Sequence, residues 1–148
     1  GIMLNNVLGE EDLNPGGFFR WQPGARMTSM MAPAILHTPR GRVVLGSGGS
    51  NRLRTAILQV ILNLVDFEMS IEEAVAAPRV HLEHGELNLE PGSLTGEADG
   101  LERAFEHLRH WPEANLYFGG VHSVWLSGDD FHAAGDHRRG GRGRVVTG

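Results

Sequence analysis

The stretch Gly46-Ser47-Gly48-Gly49-Ser50-Asn51-Arg52-Leu53-Arg54-Thr55-Ala56-Ile57-Leu58-Gln59-Val60-Ile61-Leu62-Asn63-Leu64-Val65 decides how the rest of the chain must be arranged. Apolar residues fall at Leu53, Ala56, Ile57, Val60, Ile61, Leu64 and Val65, at spacings of three and four that predict a helix over Asn51 to Phe67. Leu58 and Leu62 widen the apolar face, so the helix is expected to be covered on more than one side, inside a layered fold. The five residues before it are all glycine and serine. Free backbone N–H groups and the positive end of a helix at such a place can hold an anion or form an oxyanion hole. No Lys-Ser or Lys-Thr follows and no βαβ context precedes, so the loop is neither a Walker A loop nor a dinucleotide fingerprint. On the loop alone, a tight strand-to-helix turn with Ser50 as cap is the plainer reading.

Working upstream, Arg42 to Leu45 reads as a strand that returns antiparallel to Met30–His37 through the turn Pro39-Arg40-Gly41. Before it, Gly9 to about Arg26 is polar and rich in glycine, a loop long enough to be expected to bind or cover something. Ile2 to Asn6 reads as a strand already in progress. Downstream, Ser70 and Glu73 form a capping box for a short helix through Ala77, which Pro78 ends. Arg79–Glu83 and Glu86–Glu90 alternate about His84-Gly85 as a hairpin. Leu101, Ala104, Phe105 and Leu108 predict a helix from about Gly96 to His110. Val121–Leu126 and Phe131–Gly135 are two last strands joined through Ser127-Gly128-Asp129-Asp130. Strands interleaved with helices in this order predict an α+β fold, an antiparallel sheet with packed helices. His137 to Gly148, with Arg138-Arg139-Gly140-Gly141-Arg142-Gly143-Arg144, reads as a flexible tail on the surface.

A chain of 148 residues supports one domain with a real core, and a net charge of −5 gives no general affinity for nucleic acid. No apolar run is long enough to span a membrane. The absence of cysteine removes disulfides and a thiol nucleophile but assigns no compartment. His81 and His84, and His107 and His110, lie three apart without a second set of ligands in sequence, which disfavours a zinc site, and no cofactor is expected. No Gly-x-Ser-x-Gly elbow presents a serine nucleophile. Thr28 and Ser29 could donate hydroxyl hydrogen bonds to a carboxylate, or only tether a loop. Glu10, Glu11 and Asp12 could bind an ammonium group, or form a solvated acidic face.

Several separated motifs share an order and spacing with a known family. Gly1-Ile2-Met3-Leu4-Asn5-Asn6, Met27-Thr28-Ser29-Met30-Met31-Ala32-Pro33, Gly46-Ser47-Gly48-Gly49-Ser50-Asn51-Arg52, Glu73-Ala74-Val75-Ala76-Ala77-Pro78-Arg79 and Ala133-Ala134-Gly135-Asp136-His137-Arg138-Arg139-Gly140-Gly141 resemble the small-subunit half of γ-glutamyltranspeptidases. The resemblance implies part of an αββα N-terminal-nucleophile hydrolase sandwich, and acyl transfer or hydrolysis of γ-glutamyl amides such as glutathione. The nucleophile would be an N-terminal threonine expected upstream of Gly1, so the chain by itself is expected to be inactive. The resemblance also implies that the backbone of Gly49 and Ser50, or of Gly48 and Gly49 if the loop is shifted by one, forms the oxyanion hole. Thr28 and Ser29 would bind the substrate α-carboxylate, and Glu10 its α-ammonium group. Val7, where the family often has Glu or Gln, and Gly9-Glu10, where it often has Asp-Asp, leave room for a related amide acylase of the cephalosporin type. A catalytically silent structural or interaction domain is the third reading. The implied partners are the N-terminal part of the same precursor and a small γ-glutamyl substrate, with self-association of the chain expected where that part is absent.

Overall fold

The computed structural model describes residues 1–3, 7–94, 100 and 103–146. Four strands, β1 (Ala34–Thr38), β2 (Gly41–Gly48), β6 (Gly120–Ser127) and β7 (Asp130–Ala134), form one sheet in the order β1-β2-β6-β7, antiparallel throughout. A second sheet orders β3 (Val80–Glu83), β4 (Glu86–Leu89) and β5 (His107–His110), with β3 antiparallel and β5 parallel to β4. Helices α1 (Arg52–Val65) and α2 (Ile71–Ala76) follow β2 in the chain.

The period-two rule puts Val43 and Leu45 of β2 and Val121 and Trp125 of β6 on the face of the four-stranded sheet that meets the helices. Against them pack Leu53, Ala56, Ile57, Val60 and Leu64 of α1 and Ile71, Ala74 and Val75 of α2. The α1 residues are the buried stripe of the predicted spacing. Ser70 opens α2 with the expected box: its hydroxyl accepts from the Glu73 N–H, and the Glu73 carboxylate accepts from the Ser70 N–H. The opposite sheet face is apolar where it should be polar. Ile35, Val44, Val124 and Ala133 stand side by side across all four strands, and the first three are 65%, 51% and 42% exposed.

Three expected elements differ. Of the helix over 96–110, residues 95–99, 101 and 102 lie outside the described set, Gly100, Arg103 and Ala104 are helical, and His107–His110 is a strand. Pairing with β4 overrides the local apolar spacing there, and Trp111 continues it by donating its N–H to the Leu89 carbonyl at 2.9 Å. The strand over Ile2–Asn6 is absent at Ile2 and Met3, and residues 4–6 lie outside the described set. The first long strand begins at Ala34 rather than Met30, with Met31, Ala32 and Pro33 exposed.

The segment from His137 also departs from a surface tail. His137–Arg139 is a 3-10 turn whose Asp136 cap accepts from the Arg138 N–H, and Arg138 is only 8% exposed. Its guanidinium joins Glu90 through a short ion pair and Asp136 at 3.2 Å, while Asp136 also holds Arg79 at 2.7 Å. Two arginines and two carboxylates thus form a balanced buried group. The same arginines donate to the Val75 carbonyl at 3.0 and 3.2 Å, and Arg138 to the Ala77 carbonyl at 2.9 Å, so they close the C-terminal end of α2.

Burial pushes the Asp136 carboxyl up, but Arg79 and Arg138 outweigh it and hold the group below 3.8. Its stabilisation is therefore complete above the unfolded carboxyl value and is lost as pH falls through the lower folded value. The substitution Asp136→Asn is expected to cost about 3–5 kcal/mol at neutral pH, because two buried guanidinium groups lose a shared partner. Urea unfolding of both proteins at pH 7 and pH 3 checks this, and the difference between them shrinks at the lower pH.

Candidate active site

The glycine-rich turn lies between the end of β2 and the start of α1. Gly49 has φ 131° and Ser50 φ 52°, so two successive residues occupy backbone regions that side chains disfavour. At Gly49 the reason is contact: a Cβ there would sit 3.0 Å from the Cα of Gly119. The turn closes through Arg52 N–H to Gly49 O at 3.1 Å and Leu53 N–H to Ser50 O at 3.0 Å. Neither the Gly49 nor the Ser50 N–H donates to an acceptor among the described residues. Asn51, the residue at the helix cap, makes no side-chain capping bond. Ser50 does not cap the helix as the plainer reading had it. Its hydroxyl instead donates to the Glu10 carboxylate at 2.7 Å.

Glu10 reaches the turn because the first loop is folded on itself. Asn14, 8% exposed, donates to the carbonyls of Leu8 at 2.8 Å and Glu10 at 2.7 Å, and accepts from the Trp21 indole at 2.9 Å. Short 3-10 turns at Val7–Gly9 and Glu11–Leu13 flank Glu10, and Asp12 faces Arg54 of α1 at 3.8 Å. Forty residues of sequence separation are thereby bridged. Thr28 and Ser29 are elsewhere on the loop: both are exposed, Thr28 lines a cavity of about 330 Å³ with Leu13, Asn14 and Trp21, and Ser29 accepts from the Met31 N–H at 3.2 Å. No hydrogen bond joins either to Glu10 or to the glycine turn among the described residues.

Behind the turn lies a polar group whose members the sequence did not bring together. Glu83, at the end of β3, accepts from Asn51 Nδ2 at 2.8 Å and from the Tyr117 hydroxyl at 3.2 Å. Arg52 Nη1 and His81 Nε2 each lie 3.9 Å from the same carboxylate. The His81 Nδ1 meets the Thr55 hydroxyl at 2.7 Å, and burial pulls the imidazole below the usual histidine range against the attraction of Glu83. Glu83 itself lies below the usual carboxyl range, since hydrogen bonds from Asn51 and Tyr117 and the charge of Arg52 overcome its burial. No residue type or spacing marks such a group in advance, because its members come from β3, α1 and the segment before β6. Among the described residues no three His, Cys, Asp or Glu side chains are grouped to hold a metal, and no helix is long and apolar enough to cross a membrane.

The layered sheet-and-helix arrangement has close counterparts among solved proteins. A γ-glutamyltranspeptidase from Pseudomonas nitroreducens, solved with L-DON, superposes with a TM-score of 0.70 at 34% identity over 86% of this chain and 67% of that one. The fold is that of the N-terminal-nucleophile hydrolases. Residues 1–146 match the sequence model of the family described as Gamma-glutamyltranspeptidase, and the chain belongs to that family. The glutathione hydrolase proenzyme of Pseudomonas aeruginosa is 34% identical over 99% of this chain and 28% of its own length. The acylase ACY 1 proenzyme of Pseudomonas sp. strain SE83 is 41% identical over 68% of this chain and 18% of its own length. The chain thus spans well under a third of the curated relatives it matches.

Tyr117 offers a direct check on the geometry behind the turn. Burial, and then the charge of Glu83, push its phenol up to about 12, with Arg52 opposing. It is the chain's single tyrosine. An absorbance titration of the phenolate is expected to place its midpoint near 12, and a midpoint at the ordinary value of about 10 means the ring is neither buried nor beside Glu83 in solution.

Proposed function

We propose that this chain forms the oxyanion and donor-binding side of an enzyme that transfers or hydrolyses γ-glutamyl groups of glutathione-like amides. The observation that carries the reading is the pairing of two unengaged amides, Gly49 and Ser50, with a carboxylate, Glu10, held 2.7 Å from the Ser50 hydroxyl. An oxyanion formed from the donor carbonyl would accept from the two amides, at the positive end of α1. The Glu10 carboxylate would face the donor's α-ammonium, and Thr28 and Ser29 its α-carboxylate, once the first loop turns them toward the site. The nucleophile would be the hydroxyl of an N-terminal threonine outside these 148 residues. Its α-amine would take the hydroxyl proton and return it to the leaving amine, giving an acyl-enzyme that water or an acceptor amine then resolves.

The exposed row Ile35, Val44, Val124 and Ala133 supports the same reading. An apolar face crossing a whole sheet is costly in water. We infer that the remaining part of the same precursor covers it, as the second sheet of the αββα sandwich, and that the chain without that part self-associates.

The higher identity to an acylase over part of the chain favours a second reading, in which the donor is another acyl group. Glutaryl anilide separates the two, since it is the γ-glutamyl anilide without its α-ammonium. In the complete enzyme, Glu10→Gln is expected to lower kcat/KM for the γ-glutamyl anilide by about 10- to 100-fold, the worth of one charge-assisted hydrogen bond. Turnover of the glutaryl anilide should stay within about threefold, because the lost partner is absent from that donor. Equal losses on both donors would sink the ammonium role, and preference of the unmodified enzyme for the glutaryl donor would support the acylase reading.

A further inference from the structure

We propose that Glu83 is a positioning residue for the glycine turn, holding both of its walls through one carboxylate; this rests on the acyl-transfer reading of that turn. One wall is the start of α1. Asn51, next to Ser50, donates to Glu83 Oε1 at 2.8 Å, and Arg52, whose N–H closes the turn on Gly49 O, places its guanidinium 3.9 Å from Oε2. The other wall is the segment before β6. Tyr117 donates its hydroxyl to Glu83 Oε2 at 3.2 Å, and two residues later Gly119 forms the surface on which Gly49 rests. The walls are cross-tied, since Arg52 Nε donates to the Tyr117 carbonyl at 3.1 Å and its guanidinium lies 4.9 Å from the Tyr117 ring centroid.

The chemistry needs a carboxylate at this point. Two oxygens that only accept can take an amide donor, a phenol donor and a nearby cation at once, which an amide side chain cannot do. The turn needs an outside hold because Gly49 and Ser50 sit at φ 131° and 52° with their amides unengaged. Unengaged donors stabilise an oxyanion only if their directions are fixed beforehand. The Tyr117 ring is itself clamped, stacked on Trp111 with centroids 4.8 Å apart, and Trp111 donates to Asn88 Oδ1 at 2.9 Å. Glu83 therefore ties the turn to the three-stranded sheet.

The test compares the complete enzyme carrying Glu83→Gln, or Tyr117→Phe, with the unmodified protein. Positioning of the oxyanion donors acts in the transition state, so kcat is expected to fall about tenfold in E83Q and about threefold in Y117F, with KM within about twofold. In 15N-glycine-labelled protein, the order parameter of the Gly49 amide is expected to fall in E83Q below that of the glycines in the adjoining strands. A kcat within twofold of the unmodified enzyme in both variants, or a loss carried by KM, would overturn the proposal, and so would a Gly49 amide as rigid as before. If the unmodified enzyme turns over no acyl donor, the acyl-transfer reading fails and the Gly49 order parameter alone decides.

Discussion

The buried group of Arg79, Asp136, Arg138 and Glu90 is the constraint on which the rest of the structure depends. Each member is at most 8% exposed, and they come from the residue before β3, the cap of the last 3-10 turn, that turn itself, and the residue after β4. Burying any one of these charges alone would be prohibitive, so the four must arrive together. Their arrival fixes the remaining connections. Asp136 accepts from the Val121 N–H at 2.9 Å and so sets the start of β6, Glu90 accepts from the N–H of Arg79 at 2.9 Å and of Asn115 at 3.2 Å, and Arg79 donates to the Phe118 carbonyl at 3.2 Å.

Those last bonds carry the constraint to the glycine turn. Arg79 holds the Phe118 carbonyl, and the next residue, Gly119, packs against both Gly49 and Ala56 of α1. Ser47 takes part as well: its hydroxyl accepts from the Gly120 N–H at 3.1 Å and donates to the Gly48 carbonyl at 2.9 Å. A side chain at Gly119 would meet Ala56 and Ser47 at 3.0 Å, so the approach of the two segments requires glycine on both sides. The unusual backbone of the turn is thus supported by packing that runs from the ion network through Phe118 and Gly119.

Legibility in the sequence follows the range of the interactions. Helix α1, the capping box of α2 and the tight hairpins are decided within a few residues, and all were readable. Helix 96–110 was misread at its end because Leu108 keeps a helical spacing from Leu101, Ala104 and Phe105, while the deciding interaction is pairing with β4 some twenty residues earlier. The arginine- and glycine-rich end departs from its composition at Arg138, because composition describes a segment in water, whereas Arg138 is enclosed by Glu90 and Asp136; residues 142–146 are exposed. At the site, the glycines and Glu10 were visible as residue types, yet the bond from Ser50 to Glu10 depends on Asn14 folding the loop.

Glu83 and Asp136 show why a carboxylate's surroundings matter more than its position in a motif. Both lie below the ordinary carboxyl range although burial acts against it. At Asp136 the compensation is two guanidinium groups within 3.2 Å, which makes the residue part of the core and leaves no capacity for another ligand. At Glu83 it is two neutral donors, with the nearest cation at 3.9 Å. Neutral donors such as an amide and a phenol can be exchanged for others at modest cost, whereas buried ion pairs cannot. The C-terminal network is accordingly a fixed frame for the turn. The Glu83 group is a second, separate tie to the turn, and within it the buried His81 Nε2 and Asn51 Oδ1 have no hydrogen-bond partner among the described residues.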